Sequence, residues 1–396
     1  MIRVRNLVIA FVSVLMAIIA IMPTQQAFAQ SPIWKIVKSP NGSTQPVSNN
    51  LLLGATTIAS NDIWSVGYFN GNTLTEHWNG TQWTLIHSPN GTSGSMLNAV
   101  SAVSSTDVWA VGIQDTNGSV NGNRTLIEHW DGTKWSVVPS PNASIEGDEL
   151  YGVAAISAND VWSVGYFENN AENLILPLLE HWNGTNWSIA QDPAVNSGIN
   201  FVRAVAAFST SDVWAVGYVV NGADNENLIL HFDGTQWSIL STVPVTSDGN
   251  VLQSVTAVSS MDAWAVGKKN VNQGESSSTL ALHWNGKTWS AVASPNNGIL
   301  TNALEGVTAL SSNDVWAVGL AAQPPMGFNQ TLIEHWDGKT WSIVASPNKQ
   351  PQTNNPNTLF AATSISPGNV MAVGTWDSFK QGNPGSRTLA LQTTQG

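Results

Sequence analysis

Short apolar runs separated by turn residues dominate the chain, and they recur. LQSVTAVS (252–259) and LEGVTALS (304–311) are small and β-branched, VWAVG is wholly apolar, and TLIEHW mixes apolar and polar positions. Each run is short and bounded by Gly, Pro, Asn, Asp or Ser, which is the pattern of β-strands. Two phrases set the period. SNDIWSVG (60–67) returns as STDVWAVG (105–112), ANDVWSVG (158–165), TSDVWAVG (210–217), SMDAWAVG (260–267), SNDVWAVG (312–319) and, decayed, PGNVMAVG (367–374). Its Asp stands at 62, 107, 160, 212, 262 and 314, with Asn369 in the last copy, so the period is 45 to 55 residues. The second phrase reads EHWNGTQW from Glu76, EHWDGTKW from Glu128, EHWNGTNW from Glu180 and EHWDGKTW from Glu334.

Each unit parses into four strands. The first is the small run. A turn at Ser-Asn-Asp follows, with Asp suited to accept backbone N–H bonds. The second is VWAVG, ended by its Gly. A variable loop leads to the third, TLIEHW. Asn-Gly or Asp-Gly at 79–80, 131–132, 183–184, 233–234, 285–286 and 337–338 then predicts a two-residue type I′ hairpin, both residues at positive φ. The fourth, such as KWSVV, stops at Ser-Pro-Asn because Pro cannot continue a ladder.

Four-stranded antiparallel units of this length, seven times over, predict an all-β chain: a seven-bladed β-propeller filling 30–396 as one domain. Most of the nineteen Trp recur at fixed positions, where they would fill the wedges between sheets, and the small first strand belongs innermost. The last unit ends after its third strand, RTLALQ (387–392), and WKIVKSPN (34–41) nearly repeats WSIVASPN (341–348). The segment 31–41 is therefore expected to supply the outer strand of the last blade and remove an open edge.

Composition adds a compartment. Met1 to Arg5 is basic, Leu7 to Met22 is apolar and uncharged, and Ala27-Phe28-Ala29 is a small-x-small cleavage site, so 1–29 reads as a signal peptide. The apolar run is short for a membrane anchor, which needs about 20 residues. The expected product is secreted or held at the cell surface, monomeric, with no membrane span. Charged residues make up only 10% and the net charge is −12. So acidic a chain is a poor partner for nucleic acid, whose recognition rests on phosphate neutralisation. The absence of cysteine excludes disulfides and thiolate chemistry.

In these repeats the chain resembles bacterial secreted β-propeller proteins of the kelch-like and BNR (Asp-box) kind, across 31–396. GKTW at 286–289 and 338–341 is similar to the end of an Asp-box hairpin, although the leading Ser is absent. A sialidase-type relative would imply an arginine cluster, a nucleophilic Tyr and a Glu partner. The chain after the leader holds only Arg124, Arg203 and Arg387, in three different units. A kelch-type copper radical oxidase would need a Tyr–Cys crosslink, and cysteine is missing.

Candidate chemistry is sparse. His77, His129, His181, His231, His283 and His335 share one slot per unit, as do Glu76, Glu128, Glu180 and Glu334; a ring of sheets keeps such residues apart, so they read as structural. Paired catalytic carboxylates must stand about 5–9.5 Å apart for glycoside chemistry. No cofactor is expected. Calcium has one faint signal, Asp115, Asn117, Ser119 and Asn121, in a loop that lacks the EF-hand Gly and Glu.

Uniform turns are expected on one face and variable loops on the other, where recognition usually lives. On that face the residue after the repeat Gly is Tyr68, Ile113, Tyr166, Tyr218, Lys268, Leu320 or Thr375. The second position of the innermost strand is Leu53, Asn98, Tyr151, Arg203, Gln253, Glu305 or Phe360, which should ring the mouth of a central channel. Tyr68, Tyr151, Tyr166, Arg203, Tyr218, Glu305 and Phe360 are the candidate ligand-binding residues. The pattern favours a binding or scaffold module for an extracellular glycan or protein. The competing reading is an enzyme acting on glycosides or polysaccharides, with Glu305, Arg203 and Tyr151 at its centre.

Overall fold

A computed structural model describes residues 33–394 apart from 46, 92–93, 116–121, 194–197, 222–223, 241–248, 272–275, 323–327, 351–354 and 379–383. The expected signal peptide lies outside the described residues. Strands β1 (Ile33–Val37), β2 (Asn50–Ala59), β3 (Asp62–Phe69), β4 (Asn72–Trp78) and β5 (Trp83–Leu85) set the pattern for the rest. β2 to β5 form an antiparallel four-stranded sheet in chain order, and sheets starting at Gly94, Asn250 and Thr301 repeat it. Asp148 to Leu240 forms one eight-stranded sheet whose halves are joined by a single parallel bridge, Ile175 to Ile199. In the sixth sheet β1 pairs antiparallel with the last strand, Gly385–Thr394, Trp34 opposite Thr393.

The innermost strands are β2 and its counterparts beginning at Gly94, Asp148, Ile199, Asn250, Thr301 and Asn357, and each lies against the next. The strand from Asn357 lies in turn against β2, where Thr363 Oγ1 donates to Thr57 Oγ1 at 2.9 Å. Their small residues have a direct cause. A Cβ on Gly54 would come within 3.0 Å of Ala99 Cα, and one on Gly152 within 2.9 Å of Val205 N.

Tryptophan fills the space between sheets. Trp64 sits 4.6 Å from the His77 ring of its own sheet and 4.8 and 5.2 Å from Trp130 and Trp135 of the next. Trp214 repeats this with His231, Trp284 and Trp289. Each core cluster draws on two consecutive repeats, so no sheet has a core of its own.

Three local expectations are corrected. The repeat Asp does not cap its turn. In six repeats its Oδ1 lies 2.8–2.9 Å from the His Nε2 of the third strand, as Asp62 does with His77, while a Ser such as Ser104 accepts the turn N–H. The Asn-Gly turn is a four-residue loop, not type I′. Only its Gly takes positive φ (Gly80, +94°), and Asn79 Oδ1 accepts the N–H groups of Thr81 and Gln82. The side-chain oxygen is what selects Asn or Asp there. Finally, the Gly of VWAVG does not end its strand, since β3 runs on to Phe69. Gly67 faces a β-bulge in β2, where a Cβ would overlap the carbonyl oxygen of Leu51. Gly112, Gly165, Gly217, Gly267, Gly319 and Gly374 face the same obstacle.

Ser-Pro-Asn takes over where the outer strand stops. Asn90 Oδ1 accepts the Thr73 N–H at 2.7 Å, and Asn41 does the same for Thr388, 347 residues away. The Ser reaches the next sheet: Ser39, Ser88 and Ser294 donate to the buried carboxyls of Glu76, Glu128 and Glu334.

Candidate functional site

A cavity of about 200 Å³ runs between the innermost strands and takes lining residues from all seven of them. Leu53, Asn98, Tyr151, Arg203, Gln253, Glu305 and Phe360 all line it. Their common feature is backbone, not chemistry. Each is the extra residue of a β-bulge, where the register with the second strand slips, as between Leu150 and Gly152 or Val202 and Ala204. A bulge re-aims one side chain without disturbing the alternation on either side. Here it places one freely variable residue per repeat at the cavity.

The seven are unlike, and an aromatic and charged cluster gathers around Tyr151 and Arg203. Tyr151 stacks on Tyr166 at 5.7 Å, Tyr166 meets the edge of Phe201 at 4.9 Å, and Phe201 lies 4.9 Å from Tyr218. Arg203 is held over these rings, its guanidinium carbon 4.5 Å from the centre of Tyr151, 5.5 Å from Phe201 and 5.7 Å from Tyr218. Such placement favours a cation through the ring quadrupole. Glu149 Oε2 accepts both tyrosine hydroxyls, at 2.7 Å from Tyr151 and 2.8 Å from Tyr166, and its other oxygen accepts the Asn123 amide. Burial, together with the charge of Glu149, pushes the Tyr151 hydroxyl up to about 12 and raises Tyr166 as well. Both therefore stay protonated as donors at neutral pH. Burial works against the Arg203 charge, but the bond to Tyr218 and the surrounding tyrosines outweigh it and raise its pKa.

On the next two innermost strands, Gln253 Nε2 donates to Glu305 Oε2 at 3.0 Å. Burial raises Glu305, opposed by Lys268, Arg203 and the Gln253 bond. Asn98 spends its amide on the Leu150 carbonyl at 2.7 Å.

The structure does not bring every candidate together. Tyr68 lines a separate shallow groove with Met96, Ile113 and Asn123. Arg387 is buried against the Ser48 carbonyl and Arg124 bonds the Ile145 carbonyl, so only Arg203 of the three arginines reaches the axial cavity. Two participants were missed from the sequence, Phe201 and Glu149. They pair across strands with Tyr218 and Tyr166, and period-two alternation from the bulge residue would have found both. Asn117, Ser119 and Asn121 lie outside the described residues, and among the described residues no three His, Asp or Glu gather as metal ligands.

No family model and no curated protein matches the chain. Solved structures do. YCF48 bound to a D1 peptide superposes with a TM-score of 0.55 at 16% identity, covering 92% of this chain and 97% of that one. An ulvan lyase of polysaccharide lyase family PL25, bound to -[GlcA(1-4)Rha3S]-, gives 0.52 at 10% identity, over 89% and 95%. The chain is a β-propeller. At such identities the likeness reaches no further than the fold. It makes the bulge residues the lining of a propeller axis.

Proposed function

We propose that this chain is an exported, seven-bladed propeller, closed by β1, that binds a glycan at the mouth of its axial cavity without transforming it. Seven blades are supported by the single bridge that joins the two halves of the eight-stranded sheet, and by seven innermost strands lining one cavity. Closure is supported by β1, which takes the outer position beside the last three strands, and by Asn41, which gives Thr388 the contact that Asn90 gives Thr73. Export rests on the leader-like sequence at 1–29.

The observation that carries the binding reading is the aromatic crescent of Tyr151, Tyr166, Phe201 and Tyr218, joined through Tyr151 to the cavity that Arg203, Gln253 and Glu305 also line. Sugar rings present C–H faces that stack on aromatics, and hydroxyls that bond amides and carboxyl groups. Of the two similar propellers, one is bound to a peptide and the other to a sugar polymer. Stacking platforms beside amides favour the sugar.

The test is a glycan array followed by calorimetry on the chain from Gln30. Phe201→Ala is expected to weaken the captured glycan by about tenfold or more, the scale of one lost stacking contact. Tyr68→Ala, in the separate groove, should leave affinity unchanged. Equal effects of the two variants, or capture of peptides but no glycan, would remove this reading. A catalytic reading draws on one observation: Glu305, pushed toward its protonated form by burial, shares the cavity with Arg203. It predicts turnover of the bound glycan that Glu305→Gln abolishes.

A further inference from the structure

Arg203 is in an unusual position for a charged group. Its guanidinium has five N–H donors. The structure gives it one hydrogen bond, Nη2 to the Tyr218 hydroxyl, and that is long at 3.4 Å. Its Nε is buried with no acceptor. Among the described residues every ion pair is a repeat His–Asp contact, so no carboxylate faces it at bonding distance. The nearby acids are committed elsewhere. Glu149 holds two tyrosines and Asn123, and Glu305 holds Gln253.

A half-buried cation with open donors is costly unless something completes it. The aromatic rings around the guanidinium carbon offset part of that cost, yet they accept none of its N–H donors in line. A planar, rigid fork held in this way matches a carboxylate in bidentate fashion; a lysine would not offer the same geometry. Lys268, in the neighbouring repeat, adds positive charge near Glu305. The cavity, at about 200 Å³, has room for a single ring or chain end.

We infer that Arg203 is the seat of a carboxylate, and that the glycan bound at the axial mouth is an acidic one carrying hexuronate residues. The carboxylate lies on the guanidinium edge while the adjoining sugar ring stacks on the aromatic crescent. This rests on the glycan reading above and narrows it.

The experiment titrates oligomers of galacturonate, glucuronate and mannuronate into the chain from Gln30, each beside its methyl ester. At least one acid should bind about tenfold or more tightly than its ester, a difference of about 1.4 kcal/mol. Arg203→Met should erase that preference, bringing acid and ester affinities to within about twofold of each other. Arg203→Lys keeps the charge without the fork, and should recover only part of the preference. Should Arg203→Met fail to fold, Arg203→Lys together with the wild-type acid-to-ester ratio decides the matter. Equal binding of acid and ester, or full preference in Arg203→Lys, overturns the inference. If neutral glycans bind and uronates do not, the carboxylate seat falls and the glycan reading stands. If no glycan binds but peptides with a free C-terminal carboxylate do, both fall.

Discussion

Gly217 shows how one residue couples chain geometry to the site. It stands opposite the bulge that turns Arg203 toward the axis, and any Cβ there would overlap the Phe201 carbonyl oxygen. Gly217→Ala must push apart the two strands that carry Phe201, Arg203 and Tyr218. We expect a loss of about 1–3 kcal/mol in urea unfolding, the usual cost of overpacking, together with weakened ligand binding. An unchanged midpoint would mean the bulge can relax freely. The repeat His makes the opposite case. His231 is fixed at 2.9 Å from Asp212 and 4.2 Å from the Trp214 ring, so its position is spent on joining strands.

At the scale of elements, β1 is the informative strand. It is five residues long, and its neighbour in space is more than 340 residues away in sequence. Trp34 is 4% exposed and packs edge-on at 5.7 Å against Trp316 of the preceding repeat. Trp34→Ala should therefore cost about 3–5 kcal/mol, as for other large-to-small core changes. A melting temperature equal to that of the parent would refute this register. The outer strands also explain the turn chemistry that pattern reading got wrong. Asn-Gly between β runs suggests a two-residue turn. Trp78 and Trp83 instead pair directly, and the four residues between them need only one positive φ and one side-chain acceptor. The same two letters serve both loops, so the sequence could not choose between them.

For the whole molecule, the buried carboxyls between sheets predict an acid-favoured fold. Burial pushes Glu128, Glu180 and Glu334 from the ordinary 4.5 up to about 8 and raises Glu76 likewise, with Ser hydroxyls opposing at Glu76, Glu128 and Glu334. The folded chain thus holds protons that the unfolded chain releases, and stability falls as pH rises from about 4.5 to about 8. Exposed Asp131 and Asp233, lowered to about 2 by turn hydrogen bonds, act the other way only below about pH 4. The melting temperature should peak near pH 4–5 and decline toward pH 8.5; a flat or rising profile would contradict this. Glu180 has no partner for either oxygen, and Ser140, the counterpart of Ser88, bonds Thr125. The chain itself places Leu230 at this position where Asp192 replaces the Ser of the preceding repeat. Glu180→Leu should therefore raise stability at pH 8 and flatten the decline.

The sequence by itself determined the strands, their order in each unit, the Trp positions and the partner of β1. It could do so because each local pattern is written out several times, and a departure such as Asn369 or Leu230 stands out against the rest. It also marked the seven positions that line the cavity, since these vary where their neighbours do not. Only the tertiary structure decided why they line it, through a bulge that strand alternation does not announce. It also decided which ones act together. Tyr166, Phe201 and Glu149 join Tyr151 and Arg203 through cross-strand pairing and the approach of adjacent sheets, whereas Tyr68, alike in sequence position, lies in another groove. Repetition encodes equivalence between units; the site arises from contact between units that differ, and that is a property of their packing around the axis.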